Sequence, residues 1–332
     1  MADDSNNDFR IEISWPDIGI SVTGELAHSQ NPELVEEFLD HLPFRSLFVH
    51  PVAGGEIVYT WAPMVSSAPI RVKVPVNSAP LGQIRYSPGG GNKFGFQYGE
   101  STEPSLTPLL GQIVHDDLHK LKLIGRTTWE TVFWRKQPLF VEVRSLAPNS
   151  LRSRPSFRDG LIPELADIYD EAVLLQSTEP DDIYRLRNGN VEGGSYNQYF
   201  SVWHMAHSQL HSFAVSILTP ALRLLDELPV DQFKTTFNIM VPSTEYLGFL
   251  AFKRLHNHQL TIRRLINEAN DKEEIRKALI VLMRYALRLC NWSFFHFPWY
   301  LGAFYPRAGL TGILPGRVPG FSSLPELKGE SQ

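Results

Sequence analysis

At 332 residues the chain is too long for one ordinary hydrophobic core, and about two domains are the expectation for that length. With 43% apolar and 20% charged residues it is neither a disordered tail nor a membrane protein, and a net charge of −5 with a pI of about 6.1 leaves no basic footprint for nucleic acid. The single cysteine, Cys290, excludes an internal disulfide and a thiolate metal cluster, and reads as a small apolar helix residue.

The N-terminal residues carry no basic cluster followed by an apolar run, so no secretory signal is expected and the expected compartment is the cytosol. The longest apolar stretch, 278–289, is interrupted by Arg284 and Arg288, and no membrane span is expected. From Phe9 to Gly24 apolar and polar residues alternate, the period of two half-buried strands. Asn31 as N-cap, Pro32 at the first helical position and Leu34, Phe38 and Leu42 four apart predict a short helix that Pro43 ends. Segments 46–50, 55–61, 69–76 and 94–98 return to strand composition, separated by Gly- and Pro-rich turns such as Pro88 to Gly91. Asp116 to Gly125 reads as a second short helix with a C-cap glycine, and Pro138 to Arg144 as the last strand. A closed or nearly closed barrel is the economical arrangement, because it exposes few strand edges.

Residues 146–160, with Arg152 and Arg154, form the linker, and after it the hydrophobic period changes from two to 3.6. Leu161–Gln176, Tyr196–Leu228, Thr244–Asn270 and Glu273–Phe295 carry helical spacing, and Pro220 should kink or divide the second of them. Asp271 and Glu274 make a capping box that starts the last helix. The expected class is α+β multidomain: a barrel over 1–145, a linker over 146–160, an antiparallel bundle of about four helices over 161–306, and an extended tail over 307–332.

Several signatures are missing. Gly89-Gly90-Gly91 has no following Lys-Ser/Thr, no Gly-x-Gly-x-x-Gly opens a helix, and no Gly-x-Ser-x-Gly elbow occurs, so nucleotide cofactors and a hydrolase serine lack support. His204, His207 and His211 share one helical face and offer a metal site or a proton shuttle, with ordinary polar histidines as the bland alternative. His256 and His258, two apart, read as surface residues. His50, Glu56, Tyr98 and Glu100 flank turns of the barrel, where a partly desolvated carboxylate can serve as a general base; the bland reading makes both carboxylates loop charges. Arg85, Arg135 and Lys136 are candidates for holding anionic groups, Arg85 first because it neighbours the Gly-rich turn. Trp129 and Phe133 suit core packing as well as ligand contact. The Gly-rich segment 188–195 leading to Tyr196 suits an anion or a lid.

The stretch Glu36 to Phe44, then His50 with Gly55-Glu56, Tyr98-Gly99-Glu100, Leu123 to Arg126 and Trp129-Glu130 resembles the small bacterial cyclophilin-like proteins. Fused to a helical bundle holding Tyr196 to His211 and the aromatic run Trp292 to Tyr305, it resembles the cucumopine and mikimopine synthases over about residues 9 to 306. That resemblance implies a Pictet–Spengler-type condensation of L-histidine with 2-oxoglutarate, without a redox cofactor or metal. It assigns Glu100 as base and His50 or His207 as acid or second proton carrier. Arg85 and the helix start at Tyr196 become clamps, Trp61 and Tyr98 stack the imidazole, and Glu56 and His204 complete the binding set. The implied partners are an amino acid and a 2-oxo acid, with homo-oligomerisation left open. A metal-dependent enzyme built on the His cluster and a cyclophilin-like binding protein or proline isomerase are the alternatives.

Overall fold

The computed structural model describes residues 8–147, 157–191, 199–241 and 244–299. The segments holding Arg152 and Arg154, Tyr196, and the expected tail over 307–332 lie outside the described residues. The first half is a nearly closed antiparallel barrel. Its strands are β1 (Arg10–Trp15), β2 (Ile20–Leu26), β3 (Phe44–Phe48), β4 (Gly55–Trp61), β5 (Lys73–Pro75), β6 (Gln83–Ser87), β7 (Lys93–Ser101), β8 (Leu106–Ile113) and β9 (Leu139–Ser145). The order round the sheet is β3-β9-β1-β2-β8-β6-β7-β4, with β5 attached to β8. The ring is drawn shut where Val49 and Tyr59 exchange backbone hydrogen bonds of 2.8 and 2.9 Å.

Alternation puts Ile11, Ile13 and Trp15 of β1 inside, with Phe48, Tyr86, Phe94 and Phe96. The helix α1 (Pro32–Asp40) adds Leu34, Val35, Phe38 and Leu39 to the same core. Asn31 stands at the N-cap position but caps nothing. Its amide donates to Val72 O and Leu109 O and accepts from the Arg71 and Val72 amides, clamping an irregular segment to the barrel. The expected strand over 69–76 shrinks to β5. β6 and β8 are not among the expected strands; the letters of β6 alternate, yet Gln83 and Arg85 are buried along with Ile84 and Tyr86, so both of its faces are covered.

A 3-10 segment, His115–Lys120, runs into α2 (Leu121–Glu130) and a π turn, Thr131–Arg135. Gly125 lies in the middle of α2 and not at its C-cap. A Cβ there would stand 2.5 Å from atoms of the Tyr98 ring, so the glycine serves close approach of helix to strand.

The second half contains α3 (Pro163–Leu174), α4 (Asp181–Arg187), α5 (Tyr199–His211), α6 (Thr219–Glu227), α7 (Val230–Met240), α8 (Glu245–Leu250), α9 (Lys253–Glu268) and α10 (Lys272–His296). It is not a plain four-helix bundle. α10 runs through the middle, packed against α3, α4, α5, α6 and α9. By length and composition α10 could cross a membrane, yet 94% of its most apolar window is buried inside the protein. The capping box is present: Asp271 Oδ1 accepts from the Glu274 amide at 2.9 Å, while Glu274 Oε2 accepts from the Asn270 amide at 2.8 Å. Ahead of Pro220, which has no amide hydrogen, the helix loosens into a π segment, Ser212–Leu218, that joins α5 to α6. The expected helix 244–270 is divided between α8 and α9 at Ala251 and Phe252.

The halves are stitched by α10. Arg288 donates to Trp61 O at 2.7 Å and Ala62 O at 2.6 Å, and Asn291 donates to Leu47 O at 3.1 Å. Lys136 Nζ in turn caps α10, donating to Phe295 O and Phe297 O at 2.8 and 2.7 Å. Tyr59, Trp61 and Leu47 of the sheet thereby belong to the apolar core of the helical half.

Candidate active site between sheet and helices

Alternation along β7 decides which side chains can meet. Phe94, Phe96 and Tyr98 turn inward, whereas Lys93, Gly95 and Gln97 turn to the outer face under the helices. Tyr59 and Trp61 on β4 pair with Gly95 and Lys93, and Arg85 and Ser87 on β6 pair with the same two from the other side. Tyr59, Trp61, Arg85, Lys93 and Gln97 therefore form one patch.

Arg85 is 6% exposed and donates through Nη1 to Gln97 Oε1 at 3.1 Å. Burial brings its guanidinium down to about 10, still protonated at neutral pH. Among the described residues no carboxylate pairs with it at ion-pair distance. Glu103, in the turn after β7, is the carboxylate whose field reaches Arg85, Lys93 and Tyr59, and its Oε1 accepts from Ser105 Oγ at 2.7 Å. The Lys93 Nζ lies 4.6 Å from the Tyr59 ring centroid and 4.8 Å from that of Trp61. Phe294 of α10 backs both rings at 6.2 and 6.0 Å. Cys290, buried nearby, has its thiol pushed up to about 12 by burial and stays protonated and neutral.

α5 supplies the opposite wall. His207 is half-buried among Phe294, Phe297 and Trp299, with Nδ1 3.0 Å from Ser293 Oγ. Burial, then the neighbouring His211, His204 and Lys93, push its pKa to about 3, so the ring is neutral and is no cationic acid. His211 is lowered by burial and by Lys93 as well. His204 points outward and is exposed. Among the described residues no group of three His, Cys, Asp or Glu is arranged to hold a metal ion.

The other sequence candidates collect elsewhere. His50 donates or accepts with both nitrogens: Nδ1 is 2.8 Å from Pro51 O and Nε2 is 2.8 Å from Tyr98 OH. The Pro51 carbonyl can only accept, so Nδ1 carries the hydrogen and Nε2 accepts from the phenol. Burial lowers His50 to about 4, so its ring is neutral at neutral pH. Phe133 packs edge-on to it, and Trp129 packs on Phe133. Glu56 Oε2 accepts from the Glu100 amide at 2.9 Å, and the Glu100 side chain is exposed. Tyr98 is thus a partner of His50 inside the barrel and not part of the patch that holds Trp61. Arg135 pairs with Glu130 at 2.7 Å on the surface. His258 is no surface residue: it is 3.1 Å from Glu171 Oε2 and edge-on to Tyr285, and His256 Nδ1 is 2.9 Å from Thr244 Oγ1.

Of the residues at this patch and its facing wall, the sequence reading names Arg85, Trp61 and His207 and not Lys93, Gln97, Tyr59 and Glu103. The alternation Lys93, Gly95, Gln97 would have signalled the first two. Glu103 follows the strand's end, where no periodicity points anywhere.

No curated protein matches this sequence. The family described as the cucumopine synthase C-terminal helical bundle domain matches residues 163–296. Among solved structures, McbB in complex with tryptophan superimposes with a TM-score of 0.79 at 26% identity, over 89% of this chain and 99% of that one. The solution structure of the hypothetical protein AF2241 from Archaeoglobus fulgidus reaches a TM-score of 0.29 at 15% identity, over 44% of this chain and 99% of that one. Residues 163–296 thus resemble the cucumopine synthase C-terminal helical bundle domain, and the chain as a whole is similar in fold to McbB.

Proposed function

We propose that the chain joins an amino acid carrying a nucleophilic aromatic ring to a 2-oxo acid by a Pictet–Spengler-type reaction. The observation that carries this reading is the patch itself. A guanidinium that no carboxylate among the described residues pairs with, an exposed carboxylate and a group of aromatic rings lie together between sheet and helices. The domain family and the likeness to McbB bound to tryptophan support it.

The reaction sets three demands: hold the acids, expel water as the imine forms, and remove the ring proton after the new carbon–carbon bond closes. Arg85 meets the first, because a guanidinium grips a carboxylate with two parallel hydrogen bonds. Tyr59, Trp61 and Phe294 are buried and packed on one another, and they form the rigid apolar backing against which Lys93 lies. Glu103 is the carboxylate placed to take the ring proton, in the role that the sequence assigned to Glu100. Neutral His207 can orient a polar group across the gap by hydrogen bonding.

The amine is histidine or tryptophan, the first from the family resemblance and the second from McbB's ligand, and the 2-oxo acid is 2-oxoglutarate. Incubation of the protein with 2-oxoglutarate and either amino acid should give a product with the mass of their sum less one water. The absence of that mass for both amines, under excess protein, would overturn these substrates. Glu103→Gln should lower turnover by about 100-fold or more with KM little changed, the usual effect of losing a general base. Unchanged turnover would exclude Glu103 from that role.

A further inference from the structure

Lys93 has no part in the steps above, and its setting is unusual for a lysine. It leaves β7 between Trp61 on one side and Ser87 on the other, and its amine lies against two aromatic faces. Among the described residues that amine makes neither an ion pair nor a hydrogen bond. A structural lysine normally reaches water or a carboxylate with its three donors. Here Tyr59, Trp61 and the helices above them cover the stem, and His207 and His211 face the amine from α5.

Two consequences follow. The first concerns charge: burial lowers the ammonium to about 8, against the opposing field of Glu103, so about a tenth is free amine at pH 7, far more than for an ordinary lysine. The second concerns place. Arg85 stands opposite Gly95, two residues from Lys93 on the same face, and such diagonal neighbours have backbones about 7–8 Å apart. Gly95 puts no side chain between them. The Arg85 head leans toward Gln97 and the Lys93 amine toward Tyr59 and Trp61, so an acid whose carboxylate sits on Arg85 meets the amine once the flexible lysine turns off the two rings.

We propose that Lys93 captures the 2-oxo acid as a Schiff base, with the carboxylate held by Arg85. This inference rests on the reading of the patch as an oxo-acid site and adds a covalent step to it. The free amine of Lys93 adds to the keto carbon; the carbon–oxygen π pair moves to oxygen, which takes a proton. The carbinolamine then loses its oxygen as water with a proton from nitrogen, leaving a carbon–nitrogen double bond. The amine of the incoming amino acid attacks that carbon, the bond to Nζ breaks, and Lys93 returns as free amine. One water is released overall, as in direct condensation, and nothing is oxidised or reduced. A protonated Schiff base is a better electrophile than the ketone, which is the gain from the detour.

The test is reductive trapping. The full-length protein is incubated with 2-oxoglutarate, and in parallel with pyruvate, then treated with cyanoborohydride. Intact mass should rise by that of the oxo acid less one oxygen atom, and peptide mapping should place the adduct on Lys93. Lys93→Arg keeps a long cation on the two rings but cannot form the imine; it should show no adduct while melting as the wild type does. Should that variant fail to fold, the mapping of the wild-type adduct still decides. Condensation product without an adduct on Lys93 overturns the covalent step and leaves the proposed function standing. An adduct on Lys93 without condensation product does the reverse. An adduct spread evenly over surface lysines, or none with either acid, overturns the inference.

Discussion

Arg85 and Glu37 show two ways in which a half-hidden charge is tolerated, and each makes a measurable difference. Arg85 is buried with one hydrogen bond to Gln97, an arrangement that costs stability and that the carboxylate of the proposed oxo-acid substrate would offset. Arg85→Met should therefore raise KM for the oxo acid by about tenfold or more, the worth of a charge-assisted hydrogen bond, while the melting temperature stays level or rises. A large fall in melting temperature with unaltered KM would make Arg85 a structural residue. Glu37 on α1 accepts from Ser66 Oγ at 2.5 Å, and burial raises its carboxyl to about 7. Its unfolded counterpart ionises near 4.3, so between those values the unfolded state sheds the proton first and folding loses stability as pH rises. Glu37→Gln, which keeps an acceptor for Ser66, should gain about 1–2 kcal/mol at pH 8 and nothing at pH 4; equal stability of the two proteins at both values would refute the buried acid. At this scale the sequence spoke unevenly. Arg85 was singled out because a Gly-rich turn adjoins it, whereas nothing in the letters around His50 reveals that Pro51 O and Tyr98 OH occupy both ring nitrogens.

Strands and helices with one wet face were legible; those covered on both sides were not. The alternation of β1 and the capping box of α10 are visible in the letters because burial there follows a single period. In β6 the letters alternate, so Arg85 and Gln83 read as solvent-facing residues although both are buried. Gly125 was taken for a helix stop because glycine usually marks one, yet here it marks contact between α2 and the Tyr98 ring. Helix propensity and packing then oppose each other in a single substitution. Gly125→Ala gains about 1 kcal/mol of propensity in mid-helix but drives a methyl into a ring with no room to retreat, a cost of about 1–3 kcal/mol. The buried ring decides: the variant should be less stable in urea, and should disturb the hydrogen bond of His50 to Tyr98. A stabilised variant would mean that α2 shifts freely over the strand, which its place beside the buried Tyr98 and Trp129 argues against.

The two halves differ in secondary structure and in period, which made the boundary readable, but they do not differ in core. Tyr59, Trp61, Leu47 and Val49 of the barrel pack with α10, and the proposed catalytic groups are drawn from both sides of that contact. No local pattern reports a surface shared by residues more than 200 positions apart; only the odd placement of Arg288 in an apolar helix hints at it. That guanidinium is 2% exposed and binds the carbonyls of Trp61 and Ala62, where β4 ends. Burial brings it down to about 9, so it enters the interface still charged at neutral pH and neutralises two carbonyl dipoles that the end of the sheet leaves unpaired. Arg288→Met has nearly the right length and no donors. It strands both carbonyls in an apolar seam, at about 1–3 kcal/mol for each group left unsatisfied, offset in part by the desolvation that the charge no longer suffers. Because the seam belongs to both cores, the loss should lower one transition common to barrel and bundle. Wild-type unfolding in urea, followed by far-ultraviolet circular dichroism for the helices and by tryptophan fluorescence, which includes Trp15 and Trp61 of the barrel, should give coincident curves. Arg288→Met should shift both to lower urea together. If the helical signal moved alone, the halves would be independent folding units, and a site assembled between them would have no rigid frame.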